Sequence, residues 1–256
     1  MTETHQDFTA ERYGPRAAEY VASAVHADGA DLDQIERSVA GRGLETVLDL
    51  GCGGGHVSYR AAPHVGQVTA CDITPDMLDA VARTAATRGL ANIVTRQAAA
   101  ESLPFADARF DAVLCRFSTH HWRDMESGLR QARRVLKPGG FAIFADVVAP
   151  ADPLCDSWLQ TLELLRDITH VRDYAIAEWV AACGRAGFAV QAVTPRRLRM
   201  DFADWVARTR APQARITAIR ALQQDAPESV RRHFAIEADG SFLLDTASFV
   251  LAPHAA

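Results

Sequence analysis

VLDLGCGGGHVS, residues 47–58, places four glycines in five positions directly behind an apolar run. Neither strand nor helix favours that composition, since glycine loses the most backbone freedom on ordering and brings no side chain to the packing. A tight turn needs one or two glycines. Four of them read as main chain kept bare so that a ligand can reach it without an intervening Cβ. In open α/β sheets that place is the loop leaving the carboxyl end of the first strand, near the point where the strand order reverses.

Outward from this loop, β-branched apolar runs alternate with longer helical patterns, as in a parallel sheet with crossover helices. The strand candidates are TVLDL (46–50), QVTACD (67–72), NIVTRQ (92–97), FDAVLCR (110–116), GFAIFADVV (140–148), FAVQAVT (188–194) and TASFVLA (246–252). Between them, TPDMLDAVARTAATRG and DMESGLRQARRVLKPGG carry helix signals. Asp76 follows Pro75 into the first turn of one, and Lys137-Pro138-Gly139-Gly140 is expected to stop the other with a left-handed glycine cap. The chain divides into an N-terminal helical cap (1–45), a cofactor-binding core (46–198), a helical insertion serving as substrate lid (199–235) and a last strand that completes the sheet (236–256).

Composition narrows the function. The 256 residues are 48% hydrophobic, ample for one sizeable core. The net charge is −5, and the arginine groups Arg130/Arg133/Arg134 and Arg196/Arg197/Arg199 are short and interrupted, which argues against a nucleic-acid partner. The first residues lack a signal-peptide pattern, and no apolar run approaches the roughly 20 residues that span a bilayer, so a cytoplasmic location is expected. Five cysteines, with Cys52, Cys71 and Cys115 in or beside apolar runs, read as small buried hydrophobes rather than redox or metal groups.

The loop discriminates among ligands. A dinucleotide loop needs G-x-G-x-x-G; Gly51 and Gly53 fit, but His56 stands in the third place. A P-loop ends in Gly-Lys-Ser/Thr, and no lysine follows here. What remains is Asp49-x-Gly51-x-Gly53-x-Gly55, whose carboxylate repels a pyrophosphate and suits a cationic ligand.

These features resemble class I S-adenosylmethionine-dependent methyltransferases, in the UbiE-like branch grouped with the ubiquinone/menaquinone methyltransferases. VLDLGCGGG, CDITPDML, AESLPFADARFD and ARRVLKPGG carry the likeness, in that order, over roughly residues 43–150. The resemblance implies an α/β fold, a Rossmann-like three-layer sandwich with a mostly parallel seven-stranded sheet, its last strand antiparallel, and a helical cap. It also implies S-adenosyl-L-methionine as cofactor, S-adenosyl-L-homocysteine as product, a small-molecule acceptor, and a monomer or homodimer. Gly51, Cys52 and Gly53 would receive the methionine part, Asp49 would orient the loop and the amino group, and Asp72 would take both ribose hydroxyls. Ile73 and Met77 would flank the adenine, while Tyr20 and Arg116 would close over the methionine end. AAAESLPF departs from the frequent G-D-A-E-x-L-P-F, with Ala99 where an aspartate often accepts from the adenine amino group. That leaves the adenine to the main chain at Ala100 and to Glu101.

A sulfonium methyl is already activated, so such a protein supplies proximity, alignment and exclusion of water, and a base where the nucleophile carries a proton. His121, ahead of His120, is the candidate base in CRFSTHHW just past the fourth strand, since histidine titrates near neutrality. Adjacent histidines lack the i, i+4 spacing of a metal pair, and no metal is expected. Trp158, His170, Arg172, Trp205 and Arg208 are candidates for the acceptor pocket. The atom methylated (O, N or C) stays open. So do three other readings: a cofactor-binding protein without catalysis, a nicotinamide oxidoreductase, and an arsenite methyltransferase with converging thiols such as Cys155 and Cys183.

Overall fold

A computed structural model describes residues 4–17 and 28–254. The strands are β1 (Thr46–Leu50), β2 (Gln67–Asp72), β3 (Ile93–Gln97), β4 (Phe110–Arg116), β5 (Leu136–Ala149), β6 (Tyr174–Ala175), β7 (Phe188–Met200) and β8 (Phe242–Pro253). The described helices are α1 (His5–Tyr13), α2 (Ala30–Val39), α3 (His56–Ala61), α4 (Pro75–Thr87), α5 (Met125–Val135), α6 (Pro153–Arg166), α7 (Ile176–Arg185), α8 (Phe202–Arg208), α9 (Gln213–Asp225) and α10 (Glu228–Phe234). The sheet order is β3-β2-β1-β4-β5-β8-β7, with two-residue β6 paired to the end of β5. Strands β1 to β5 run parallel, and β8 is antiparallel to both β5 and β7. This is the mostly parallel Rossmann-like sheet expected, with β6 added to the seven strands read. Two residues are too few to leave an apolar pattern.

Parallel strands bury both faces, and that is why their sequences are near-continuous apolar runs. Val47 packs with Leu32, Ile35 and Val39 of α2 and Val57 of α3 on one face. Leu48 and Leu50 pack on the other with α5 and α7, where Trp179 stacks on Phe249 at 4.7 Å between ring centroids. The chain leaves β1 toward β2 and β3, then returns to β4 on the opposite side of β1. The carboxyl ends of β1 and β4 therefore flank the reversal, and the crevice between them is open to a ligand.

Two local expectations are corrected. Helix α5 does not end on a left-handed glycine; its last turn passes straight into extended Leu136 at φ −81°, ψ 132°. Pro138 confines Lys137 to extended backbone, so the strand begins inside LKPGG. Gly140 serves close packing instead, because a Cβ there would stand 2.7 Å from the Asp111 carbonyl oxygen. Strands β7 and β8 are also longer than their apolar runs. Along 197–200 exposed Arg197 and Arg199 alternate with the less exposed Leu198 and Met200, and an antiparallel ladder tolerates one polar face. That extension carries Leu198 and Met200 to the site.

Candidate cofactor and acceptor site

One cavity opens at the β1/β4 reversal. It is lined by Asp49, Gly51, Cys52, Gly53, Asp72, Ile73, Met77, Ala100, Glu101, Arg116, His120 and His121, which brings together every site residue read from the sequence except Tyr20. Tyr20 lies outside the described residues.

The loop after β1 is held from outside the ligand space. Gly51 and Cys52 donate main-chain N–H groups to the Cys71 carbonyl at 2.8 and 2.9 Å, and Gly55 donates to Cys52 at 2.8 Å. Gly51 and Gly53 adopt left-handed φ of 70° and 47°. A Cβ on Gly51 would collide with the Ser118 hydroxyl, whereas one on Gly53 would meet nothing within 4 Å. Gly51 is thus bare for the protein's own packing against the loop after β4, and Gly53 is bare toward open space. Asp72 joins the halves: Oδ2 accepts from Gly53 N and Oδ1 from Thr74 N, each at 2.9 Å. Burial holds the Asp72 carboxyl above its ordinary range, against those donors. Asp49 is 1% exposed and accepts from Ser58 Oγ at 2.6 Å; burial pushes it up to about 7.

Ile73, Met77, Ala98 and Ala100 form an apolar slot beside this loop. Glu101 is occupied, with Oε1 accepting from Arg123 N at 3.0 Å and Oε2 from Gln6 Nε2 at 3.3 Å. It ties α1 to the start of α5. The Arg116 guanidinium is held by Asp31 of α2 through contacts of 2.6 and 3.2 Å, and by the Asp28 carbonyl at 3.2 Å. It fastens the N-terminal region to the end of β4.

The histidines divide in role. His120 Nδ1 lies 2.6 Å from Asp146 Oδ1, so the opposite ring edge with Nε2 is turned from Asp146 in a residue that lines the cavity. Burial opposes its charge, but Asp146 outweighs it and raises His120 to about 9. His121 is different: Nε2 lies 3.0 Å from the Tyr13 hydroxyl and Nδ1 3.2 Å from both the Thr169 carbonyl and hydroxyl. Burial and the neighbouring His120 cation lower it to about 4. Both its ring nitrogens are engaged within the protein, which removes the ground for ranking it ahead of His120.

Beyond His120 the walls are Phe117, Val147, Leu198, Met200 and Leu244, with Glu163, Arg166, Asp173 and Arg208 as polar groups. Of the residues read as pocket candidates, Arg208 lines the cavity. Trp158 and Trp205 are core instead, the first 4.8 Å from Phe234 and the second 5.0 Å from Phe242 between ring centroids. His170 is buried against Gln160, and Arg172 pairs with Asp156 and Glu178. All five cysteines are free and buried, with Cys155 and Cys183 in separate apolar clusters. Sequence reasoning missed Tyr13, Asp146 and Asp173. Asp146 left a signal, a lone charge inside GFAIFADVV.

A family described as methyltransferase domain matches residues 48–144. The uncharacterized protein YafE of Escherichia coli is 48% identical over 75% of this chain and 92% of its own. The uncharacterized methyltransferase YcgJ of Bacillus subtilis is 32% identical over 88% of each chain. Its crystal structure matches with a TM-score of 0.83 and 30% identity, over 88% of this chain and 99% of that one. The chain belongs to the S-adenosylmethionine-dependent methyltransferase family. UbiE of Zymomonas mobilis is 34% identical over 42% of this chain and 45% of its own, a partial and distant likeness.

Proposed function

We propose that this protein binds S-adenosyl-L-methionine in the β1/β4 crevice and methylates a small molecule seated between His120 and the ends of β7 and β8. The observation that carries the reading is Gly53: left-handed, open where a Cβ would stand, and donating its N–H to Asp72. The residues present fit the cofactor. Asp49 and Asp72 supply carboxyl groups for an amino group and a ribose, and the Ile73/Met77/Ala98/Ala100 slot suits a flat ring. When bound, the cofactor supplies a methyl group already activated as a sulfonium.

The chain's own residues do the rest. Burial opposes the Asp49 carboxylate and holds the group near 7, and an ammonium beside it would favour ionisation, which is how a buried carboxyl recognises a cation. Tyr13 on α1 and the Arg116–Asp31 pair exclude water from the crevice. His120, cationic through Asp146, holds an acceptor oxygen as its anion and lowers the cost of ionising it. His121 positions Tyr13 and the turn that carries His120. In this reading, residues 1–45 and 199–235 cap a core of 46–198 completed by 236–256, in a cytoplasmic monomer or homodimer. A likeness to UbiE over less than half of each chain supports the cofactor and leaves the acceptor to the cavity side chains.

Calorimetric titration with S-adenosylmethionine and, separately, NADH tests the proposal. Saturable binding of the first alone is expected, followed by transfer of labelled methyl to members of a panel of phenols, quinols and amines. Binding of NADH alone would make the protein an oxidoreductase; cofactor binding without transfer to any acceptor would leave a binding protein.

A further inference from the structure

Gln6, Thr9 and Tyr13 of α1 stand at i, i+3 and i+7, hence on one face of the helix, and all three line the cavity. The Tyr13 ring packs on Met77 and Ala80 of α4, the wall of the apolar slot that follows β2. Gln6 Nε2 donates to Glu101 Oε2 at 3.3 Å, beside Ala98 and Ala100 of the wall that follows β3. Helix α1 therefore crosses the slot formed by Ile73, Met77, Ala98 and Ala100. Seven residues of helix rise about 10 Å, enough to bridge a flat ring lying there.

The side-chain oxygens around this slot are mostly engaged. Asp72 accepts from Gly53 N and Thr74 N. Glu101 accepts from Arg123 N at 3.0 Å and Asp124 N at 3.4 Å through Oε1, and from Gln6 through Oε2. The hydroxyl protons of Thr9 and Tyr13 go to the His5 carbonyl at 2.8 Å and to Asp167 Oδ2 at 2.5 Å. Gln6 differs. A carboxylate accepts and does not donate, so the amide turns its NH2 to Glu101 and its oxygen away from it. Gln6 Oε1 accepts from no donor among the described residues. The amide is thus set at one end by Glu101 and offers an acceptor at the other. An acceptor at the edge of the slot favours a ring carrying an amino group over one carrying a carbonyl at the same place, because the carbonyl would set oxygen against oxygen.

We propose that Gln6 is a specificity-determining residue of the cofactor pocket, accepting at Oε1 a hydrogen bond from the exocyclic amino group of the cofactor's purine while Glu101 fixes the amide. The inference rests on the reading of the crevice as the S-adenosylmethionine site. It gives α1 a part in recognition besides closure of the crevice.

The test uses the full chain and two ligands, S-adenosylhomocysteine and S-inosylhomocysteine, whose purine carries a carbonyl in place of the amino group. Both are titrated calorimetrically into wild type, Gln6→Leu, which removes the acceptor, and Gln6→Lys, which pairs with Glu101 and presents donors. The Gln6 side chain is exposed, so both variants are expected to keep the wild-type melting temperature. Wild type is expected to bind S-adenosylhomocysteine at least about tenfold more tightly than the inosyl ligand, Gln6→Leu to narrow that preference about fivefold or more, and Gln6→Lys to narrow it further. A glutamine that only ties α1 to Glu101 would weaken both ligands alike, so an unchanged ratio in either variant overturns the proposal, as does equal binding of the two ligands by wild type. If Gln6→Leu fails to fold, the ratio in Gln6→Lys decides. Failure of both ligands to bind wild type refutes the proposed function and this inference with it; a preference that survives in the variants refutes the part given to Gln6 alone.

Discussion

Asp146 holds His120 from two sides, accepting from the imidazole at Oδ1 (2.6 Å) and from Thr119 N at Oδ2 (2.9 Å), so one buried carboxylate fixes both the ring and the turn that carries it. The imidazolium it stabilises has consequences for pH. His120 rises from its ordinary 6.5 to about 9, so its contribution to stability is fully present below 6.5 and is lost as pH rises through 9. Asp49, also raised, loses its contribution between its ordinary 3.8 and about 7. Asp72 and Asp173 are raised as well, so between 7 and 9 His120 is separated from them by comparing wild type with a variant that lacks the Asp146 charge. Over that interval wild type is expected to lose up to about 3 kcal/mol more than Asp146→Asn as His120 deprotonates. Urea unfolding at stepped pH, with NMR titration of the His120 ring, measures both; a wild-type profile as flat as the variant's refutes the pairing.

The glycines of the loop separate by substitution. Gly53→Ala places a methyl in open space at a left-handed φ, costing about 1–2 kcal/mol of stability, while obstructing the approach of the ligand. Gly51→Ala suffers the same backbone strain and also drives a methyl into Ser118, adding about 1–3 kcal/mol. Thermal melts and cofactor titration are expected to rank Gly51→Ala as the less stable protein and to show weakened binding in Gly53→Ala while it remains folded. Wild-type affinity in Gly53→Ala would remove the loop from the ligand site.

β1, β2 and β4 were legible because both faces of each are buried, so the apolar runs and the helical crossovers leave separate periods in the sequence, whereas β3 is an exposed edge strand. β1, β2 and β4 fall at 46–50, 67–72 and 110–116 as read. The far ends of β7 and β8 were not legible, because Arg197, Arg199 and Asp245 sit on a ladder with one wet face and look like loop. The half of the cavity at the glycine loop was legible for a related reason: the loop is local in sequence, and a run of glycines is conspicuous. The half of the cavity around His120 is assembled from α1, the ends of β5, β7 and β8, and the loop before β6, so Tyr13, Met200 and Asp173, with Asp146 behind His120, converge only in three dimensions. Nothing local in CRFSTHHW separates His121 from His120. The partners that distinguish them, Asp146 on one side and Tyr13 and Thr169 on the other, are 26, 108 and 48 residues away in sequence.

Tyr13 supports the docking of α1. Its hydroxyl donates to Asp167 Oδ2 and contacts His121, and its ring packs with Met77 and Ala80. Tyr13→Phe keeps the packing and removes the donor to a buried carboxylate, a loss of about 1–3 kcal/mol. Faster amide exchange in 5–13 than in the sheet, relative to wild type, is expected to accompany the fall in melting temperature. A variant with wild-type stability and exchange would show that apolar contact alone seats the helix.

Asp72 tests the cofactor half most directly, because its two oxygens hold the protein together before any ligand arrives. Gly53 N and Thr74 N each donate to it at 2.9 Å. Asp72→Ala strips both acceptors and, in the proposed site, the ribose contact, and is expected to cost about 1.5–3 kcal/mol of cofactor binding, a weakening of about tenfold to 150-fold. Asp72→Asn retains the shape but sets an amide N–H against one of the two donors, so it is expected to lose affinity while losing less stability than the alanine variant. The comparison separates two roles. If stability falls in both variants while S-adenosylmethionine binds each as tightly as wild type, Asp72 braces the loop and does not touch the cofactor. If affinity falls in the asparagine variant at nearly wild-type stability, the carboxylate meets the ligand itself.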